Sequence, residues 1–167
     1  MKLLYIARHA KSSWDFSGIS DHERPLIEKG IKRTKLIGNY LLQNDVKPDL
    51  IISSFAVRAY ETAALIAESL SYPKENIQVK NNLYHPDVDI LLDHIYGLND
   101  SVGSVMMVGH NPTFTEFSNY FMKKKIDWLP TSAVVCISFD TDKWGDIHHA
   151  KKRVIFVISP KLLRHNK

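Results

Sequence analysis

The chain reads as a three-layer α/β sandwich. Up to about residue 120, short apolar runs with no helical period alternate with stretches that repeat every three and four residues. The last third then switches to two β-rich runs separated by turn residues, as two strands completing a sheet would. At 167 residues, 44% apolar and 24% charged, the chain fits one soluble domain, 1–167, with a proper core.

The first strand is Leu3-Leu4-Tyr5-Ile6-Ala7, which ends abruptly at Arg8-His9. An apolar run of that kind is a buried central strand, and the carboxyl end of such a strand is where open α/β sheets place ligands. Lys11 to Pro25 follows as a polar loop of the length that carries function. After Pro25 comes a helix with the core stripe Ile27, Ile31, Thr34, Ile37 and Leu41. Gly30 and Gly38 each cost about 1 kcal/mol against Ala in a helix interior, and close packing on the sheet accounts for them. Asn44-Asp45 and Pro48-Asp49 mark a turn, and Leu50 to Ser53 is the second strand.

Ala56 to Leu70 is a helix whose Ala59, Ala63 and Ala67 let it lie close to the sheet. Ile77 to Val79 is a short strand, Val88 to Tyr96 a helix ended by Gly97, and Ser104 to Val108 a strand running into Gly109-His110. Pro112 suits a first helical position and Asn111 a cap. Lys123-Lys124-Lys125 marks that helix's C-terminus. Ser132 to Asp140 and Arg153 to Ile158 are the final strands, at least one of them antiparallel, and 161–167 is expected to be a loose tail.

A net charge of +4 and a pI near 9.1 suit an anionic substrate, but the excess is too small to point to nucleic acid. Cys136 is the single cysteine, in an apolar strand, which leaves no intrachain disulfide and fits a reducing compartment. No run approaches the length of a membrane span, so a cytoplasmic protein without a membrane partner is expected. There is no HExxH, no cysteine cluster and no GxxxxGK[ST], so no metal or cofactor is expected.

Three segments resemble one family. Arg8-His9-Ala10, Ser54-x-x-x-Arg58-Ala59-x-x-Thr62-Ala63 and Gly109-His110-Asn111 are similar, in order and spacing, to the signatures of the histidine phosphatase superfamily, the phosphoglycerate-mutase-like fold. The short chain and Arg8-His9-Ala10-Lys11 resemble its SixA-type phosphohistidine phosphatases, and the resemblance runs from residue 2 to about residue 160. It implies a mostly parallel sheet with helices on both faces, an antiparallel C-terminal edge strand, and no room for the helical lid that larger relatives insert between Asn81 and Gly103.

A neutral imidazole is a competent nucleophile toward phosphorus, and planar guanidinium forks stabilise the equatorial oxygens. The resemblance gives His9 the nucleophile's place and makes Arg8 and Arg58 phosphate ligands. His110 then helps bind the transferred group and, protonated, adds a third cation. Lys11, Ser12 and Arg24 are expected to contact the rest of the substrate. Trp14 either joins them or plugs the loop onto the core, and Asp21 with Arg24 fits a structural pair. In many relatives a carboxyl group protonates the leaving oxygen, but the matching segment here is Leu83-Tyr84-His85. A phosphoramidate nitrogen leaves already protonated, so the gap favours phosphohistidine on a phosphorelay protein, such as a histidine-phosphotransfer domain. His85, Asp87 and Asp89 remain candidate acids, and His85 a substrate contact. Two other readings stay open: a small-molecule phosphomonoesterase, and a non-catalytic phosphate- or phosphoprotein-binding module.

Overall fold

A computed structural model describes residues 1–14 and 18–165. Its centre is a six-stranded sheet in the order β3-β2-β4-β1-β5-β6. The strands are β1 (Lys2–Arg8), β2 (Leu50–Ser54), β3 (Gln78–Lys80), β4 (Ser104–Gly109), β5 (Val134–Phe139) and β6 (Lys152–Ile158). β1 to β4 are mutually parallel; β5 runs antiparallel to β1, and β6 pairs antiparallel with β5.

The period-two rule sorts the core. Leu4 and Ile6 of β1, Val105 and Met107 of β4, and Val135 and Ile137 of β5 face one cluster. That cluster is closed by α3 (Val88–Tyr96), α4 (Thr113–Tyr120) and Trp144. Tyr5, Ala7, Met106, Val108, Val134 and Cys136 face the other. It is covered by α1 (Glu28–Gln43), α2 (Val57–Ser69) and Leu163 of α5 (Pro160–His165). This is the expected sandwich, mostly parallel.

Several local expectations need correction. The glycines of α1 do not meet the sheet: a Cβ on Gly30 would strike the Lys11 carbonyl, and one on Gly38 would strike Ser69 of α2. Residues 161–165 continue α5 instead of trailing loosely, because Leu163 has apolar surface to cover; Asn166 and Lys167 lie outside the described residues. The loop from Lys11 is pinned by Ile27 N–H donating to the Lys11 carbonyl and by a bridge between Ser12 and Leu26. Its Asp15, Phe16 and Ser17 lie outside the described residues. The three lysines follow α4, where Lys125 Nζ donates to the carbonyls of Asn119 and Met122, both at 2.6 Å. Among the described residues no helix is long and apolar enough to cross a membrane.

Candidate active site

The carboxyl ends of β1 and β4 lie side by side, so Arg8 pairs with Gly109 in register. His9 and His110 therefore leave the sheet together, and their ring centroids are 5.2 Å apart. His9 N–H donates to the Gly109 carbonyl at 3.0 Å. On the other side, Ser132 holds a left-handed backbone (φ 62°) and donates its N–H to the His9 carbonyl. A side chain on Gly109 would collide with the Phe114 ring, so the close approach there requires glycine.

The second motif closes the same space. The Thr62 hydroxyl donates to the Arg58 carbonyl one helical turn earlier and accepts the Ala10 N–H at 2.8 Å. The start of α2 is thereby tied to the residue after His9. Ser54, at the end of β2, lies 2.8 Å from His110 Nε2. The spacing Ser54, Arg58, Thr62 thus has a mechanical reason: strand end, first turn and second turn each hold one piece of the crevice.

The His9 ring is buried, and its Nδ1 donates to the Ala10 carbonyl at 2.7 Å. That contact fixes the tautomer and leaves Nε2 as the unprotonated lone pair. Burial lowers its pKa to about 4; the Ala10 carbonyl works the other way, and the cations of Arg58, Arg8 and Arg24 reinforce the fall. Burial lowers His110 further, to about 3, with His9 and Arg58 adding to it. The third cation expected at His110 is therefore a neutral imidazole in the ligand-free protein.

Arg8, His9, Arg58 and His110 line one cavity of about 430 Å³. Among the described residues three buried nitrogens here have no partner: Arg8 Nε, Arg58 Nε and His110 Nδ1. A buried polar atom left unsatisfied costs about 1–3 kcal/mol. Three of them around one cavity, two on permanent cations, describe a receptacle for an oxyanion.

A family model described as the histidine phosphatase superfamily, branch 1, matches residues 4–84, which include Arg8-His9 and Arg58. The chain belongs to the histidine phosphatase superfamily. An uncharacterised protein of Mycobacterium tuberculosis is 34% identical over 106 residues, covering 64% of this chain and 63% of its own length. The match thus spans less than two thirds of that relative. The Escherichia coli phosphohistidine phosphatase SixA is 26% identical over 110 residues, covering 65% of this chain and 67% of its own. Among solved structures, the protein histidine phosphatase SixA complexed with tungstate superposes with a TM-score of 0.81 at 23% identity, over 96% of this chain and 99% of its own. The fold is that of the superfamily.

Against this superfamily site the remaining expectations divide. Lys11, Ser12 and Arg24 do line the cavity, but Arg24 is heavily engaged. It donates to the Ser12 hydroxyl at 3.1 Å, to the Ser13 carbonyl at 3.0 Å and to Asp21 at 3.0 Å. Trp14 plugs nothing: it is 81% exposed and lies over the Arg24 guanidinium at 3.7 Å. His85 is exposed and lines an adjoining cavity of about 290 Å³ that shares Arg58, His110 and Asn111 with the first. Asp87 is occupied in capping α3, accepting from Ile90 N–H at 2.9 Å.

Asp21 is the cavity-lining residue that sequence reasoning undervalued. Its Oδ1 accepts from Arg24, while Oδ2 accepts from Arg58 Nη2 at 3.0 Å and from the Tyr84 hydroxyl. Its carbonyl accepts Arg58 Nη1 at 2.9 Å. Partial burial opposes the charge, but the Tyr84 hydroxyl and the Arg58 guanidinium outweigh it and hold the carboxyl well below the usual carboxylate range. Asp21 therefore stays ionised and is no proton donor. The pairing with Arg24 was legible from its spacing of three; the reach to Arg58 and Tyr84 carries no local signal.

Proposed function

We propose that the chain is a phosphatase that works through a phosphohistidine formed on His9, needs no metal, and removes the phosphoryl group from phosphohistidine on a phosphorelay protein in the cytoplasm. The observation that carries this reading is the pairing of a neutral, tautomer-fixed His9 with three nitrogens unpartnered among the described residues, two of them guanidinium donors, on the arginines and the histidine that line its cavity. The phosphoryl oxygens take up Arg8, Arg58 and the His110 N–H as the equatorial charge develops. His9 Nε2 attacks phosphorus, the P–N bond to the substrate imidazole breaks with its electron pair going to the departing nitrogen, and the substrate ring leaves as a neutral imidazole because its other nitrogen carries the proton. Water then attacks phospho-His9, giving inorganic phosphate and restoring the neutral ring. Lys11, Ser12 and His85 would meet the rest of the substrate.

Two further points support a phosphoramidate over an alkyl ester. Asp21, the carboxylate that lines the crevice, is ionised, and Asp87 is spent as a cap, so neither offers a proton to an alkoxide. The Escherichia coli relative is named a phosphohistidine phosphatase. The test has two arms. Hydrolysis of an aryl phosphate in excess chelator, with loss in His9→Ala, establishes the chemistry; tight phosphate binding without turnover would mean a binding module. Ranking a phosphorylated histidine-transfer domain against a panel of phosphometabolites by kcat/KM then decides the substrate. A sugar phosphate that wins by orders of magnitude makes the protein a small-molecule phosphomonoesterase.

A further inference from the structure

A cavity of about 910 Å³ shares no residue with the crevice around His9. It lies between the end of α4 and the start of β6, the outermost strand of the sheet. Phe121, Met122, Ile126 and Val157 give it an apolar floor. Every charged side chain that lines it is a cation, and no carboxylate does. Lys125 and Lys152 are drawn onto the carbonyls of Asn119, Met122 and His148. Lys123, Lys124, Lys151 and Arg153 are exposed, and no ion pair among the described residues uses them.

Two properties of β6 decide what such a groove accepts. As the last strand it has a free edge, and Val154 and Ile155 are apolar and exposed on it. Lysines on an edge strand discourage pairing with other chains, and here Lys151, Lys152 and Arg153 would set like charge against like in a second copy paired in parallel. The same cations reverse the preference for a strand of opposite sign. An incoming extended segment finds backbone partners along the edge, cationic partners at the rim, and an apolar floor for alternate side chains. A phosphodiester backbone would satisfy the rim and leave the floor empty.

We propose that the groove between α4 and β6 is a docking site for an extended acidic segment of a partner protein, which adds to the free edge of β6. The probe is a fluorescein-labelled peptide of about ten residues alternating glutamate with valine. Its controls are the lysine–valine counterpart, phosphatidylserine vesicles and an oligouridylate. Fluorescence anisotropy should show saturable binding of the glutamate peptide alone, weakening steeply with salt. The double variant Lys124→Glu/Lys151→Glu should weaken it by about tenfold or more with an unchanged melting temperature, since both side chains are exposed. Amide exchange along 152–158 should slow on binding. Equal binding of both peptides, undiminished binding by the variant, no protection of β6, or binding of vesicles or oligonucleotide but not the peptide would overturn the proposal.

Discussion

The two ends of β1 each hold a cation, buried at Lys2 and half-buried at Arg8, and they treat it in opposite ways. At the amino end Lys2 is 4% exposed, and its ammonium donates to the carbonyls of Asp100 and Val102 and lies 5.4 Å from the Trp144 ring centroid. The charge is met by the protein itself. At the carboxyl end the Arg8 guanidinium donates to the Leu129 carbonyl at 3.2 Å and keeps a buried Nε with no partner among the described residues. Six residues apart on one strand, the first cation closes the fold and the second faces a cavity with a donor unmet among the described residues. Burial of charge alone therefore does not mark a functional site; burial with unsatisfied donors does.

That contrast is open to test at both ends. His9→Ala should lower aryl-phosphate turnover by about a thousandfold or more, because the covalent route disappears, and acid quench of the wild type should trap an acid-labile phosphoprotein that the variant lacks. Arg58→Ala should cost roughly a hundred- to a thousandfold in kcat/KM and abolish the rise in melting temperature that inorganic phosphate gives the wild type.

The pH profile comes next. With the His9 pKa at about 4, kcat/KM should stay level from neutral pH down to about 5 and then fall about tenfold per unit as the ring protonates. Stability should follow the same residues. Both histidines are lowered from 6.5, so the unfolded chain binds more protons in that window. Their contribution is full above about pH 6.5 and is lost as pH falls through about 4 and 3. A melting temperature that is flat from pH 7 to 4 would contradict the burial of both rings.

Asp21→Asn separates two roles for the carboxylate. If it aligns Arg58 and Arg24, kcat should fall about tenfold while phosphate inhibits more tightly, since two cations lose their internal counter-charge. A merely structural role would weaken both. The smallest effect on rate belongs to Lys2→Met. Turnover should not change, while two hydrogen bonds from a charged donor are lost; at about 1.5–3 kcal/mol for such bonds, the melting temperature should drop by several degrees.

Local pattern revealed most of the framework and the four residues Arg8, His9, Arg58 and His110 that the fold brings to one cavity. The apolar run before Arg8-His9, the small residues of α2 and the bounds of α3 are properties of neighbouring residues, and they stand as expected. What stayed hidden depends on distance through space. Gly38 meets a serine of α2, Leu163 finds a surface on the far side of the sheet, and Asp21 reaches an arginine 37 residues away and a tyrosine 63 residues away. The charge state of His110 belongs to the same class. Its sequence neighbours announce a histidine at a strand end, while its neutrality comes from burial beside His9 and Arg58.

The reversal of β5 carries a consequence for how this scaffold could be reshaped. Because β5 starts beside Ala7 and Arg8, the segment entering it delivers the Leu129 carbonyl to Arg8 and Asn111, and the Ser132 amide to His9. Thr131 of the same segment lines the cavity. A designer seeking a new selectivity could vary the Thr131 side chain while keeping the backbone from Leu129 to Ala133. The rim would change and the reactive centre would keep its bearings, as one exchanges the jaws of a vice without touching its screw.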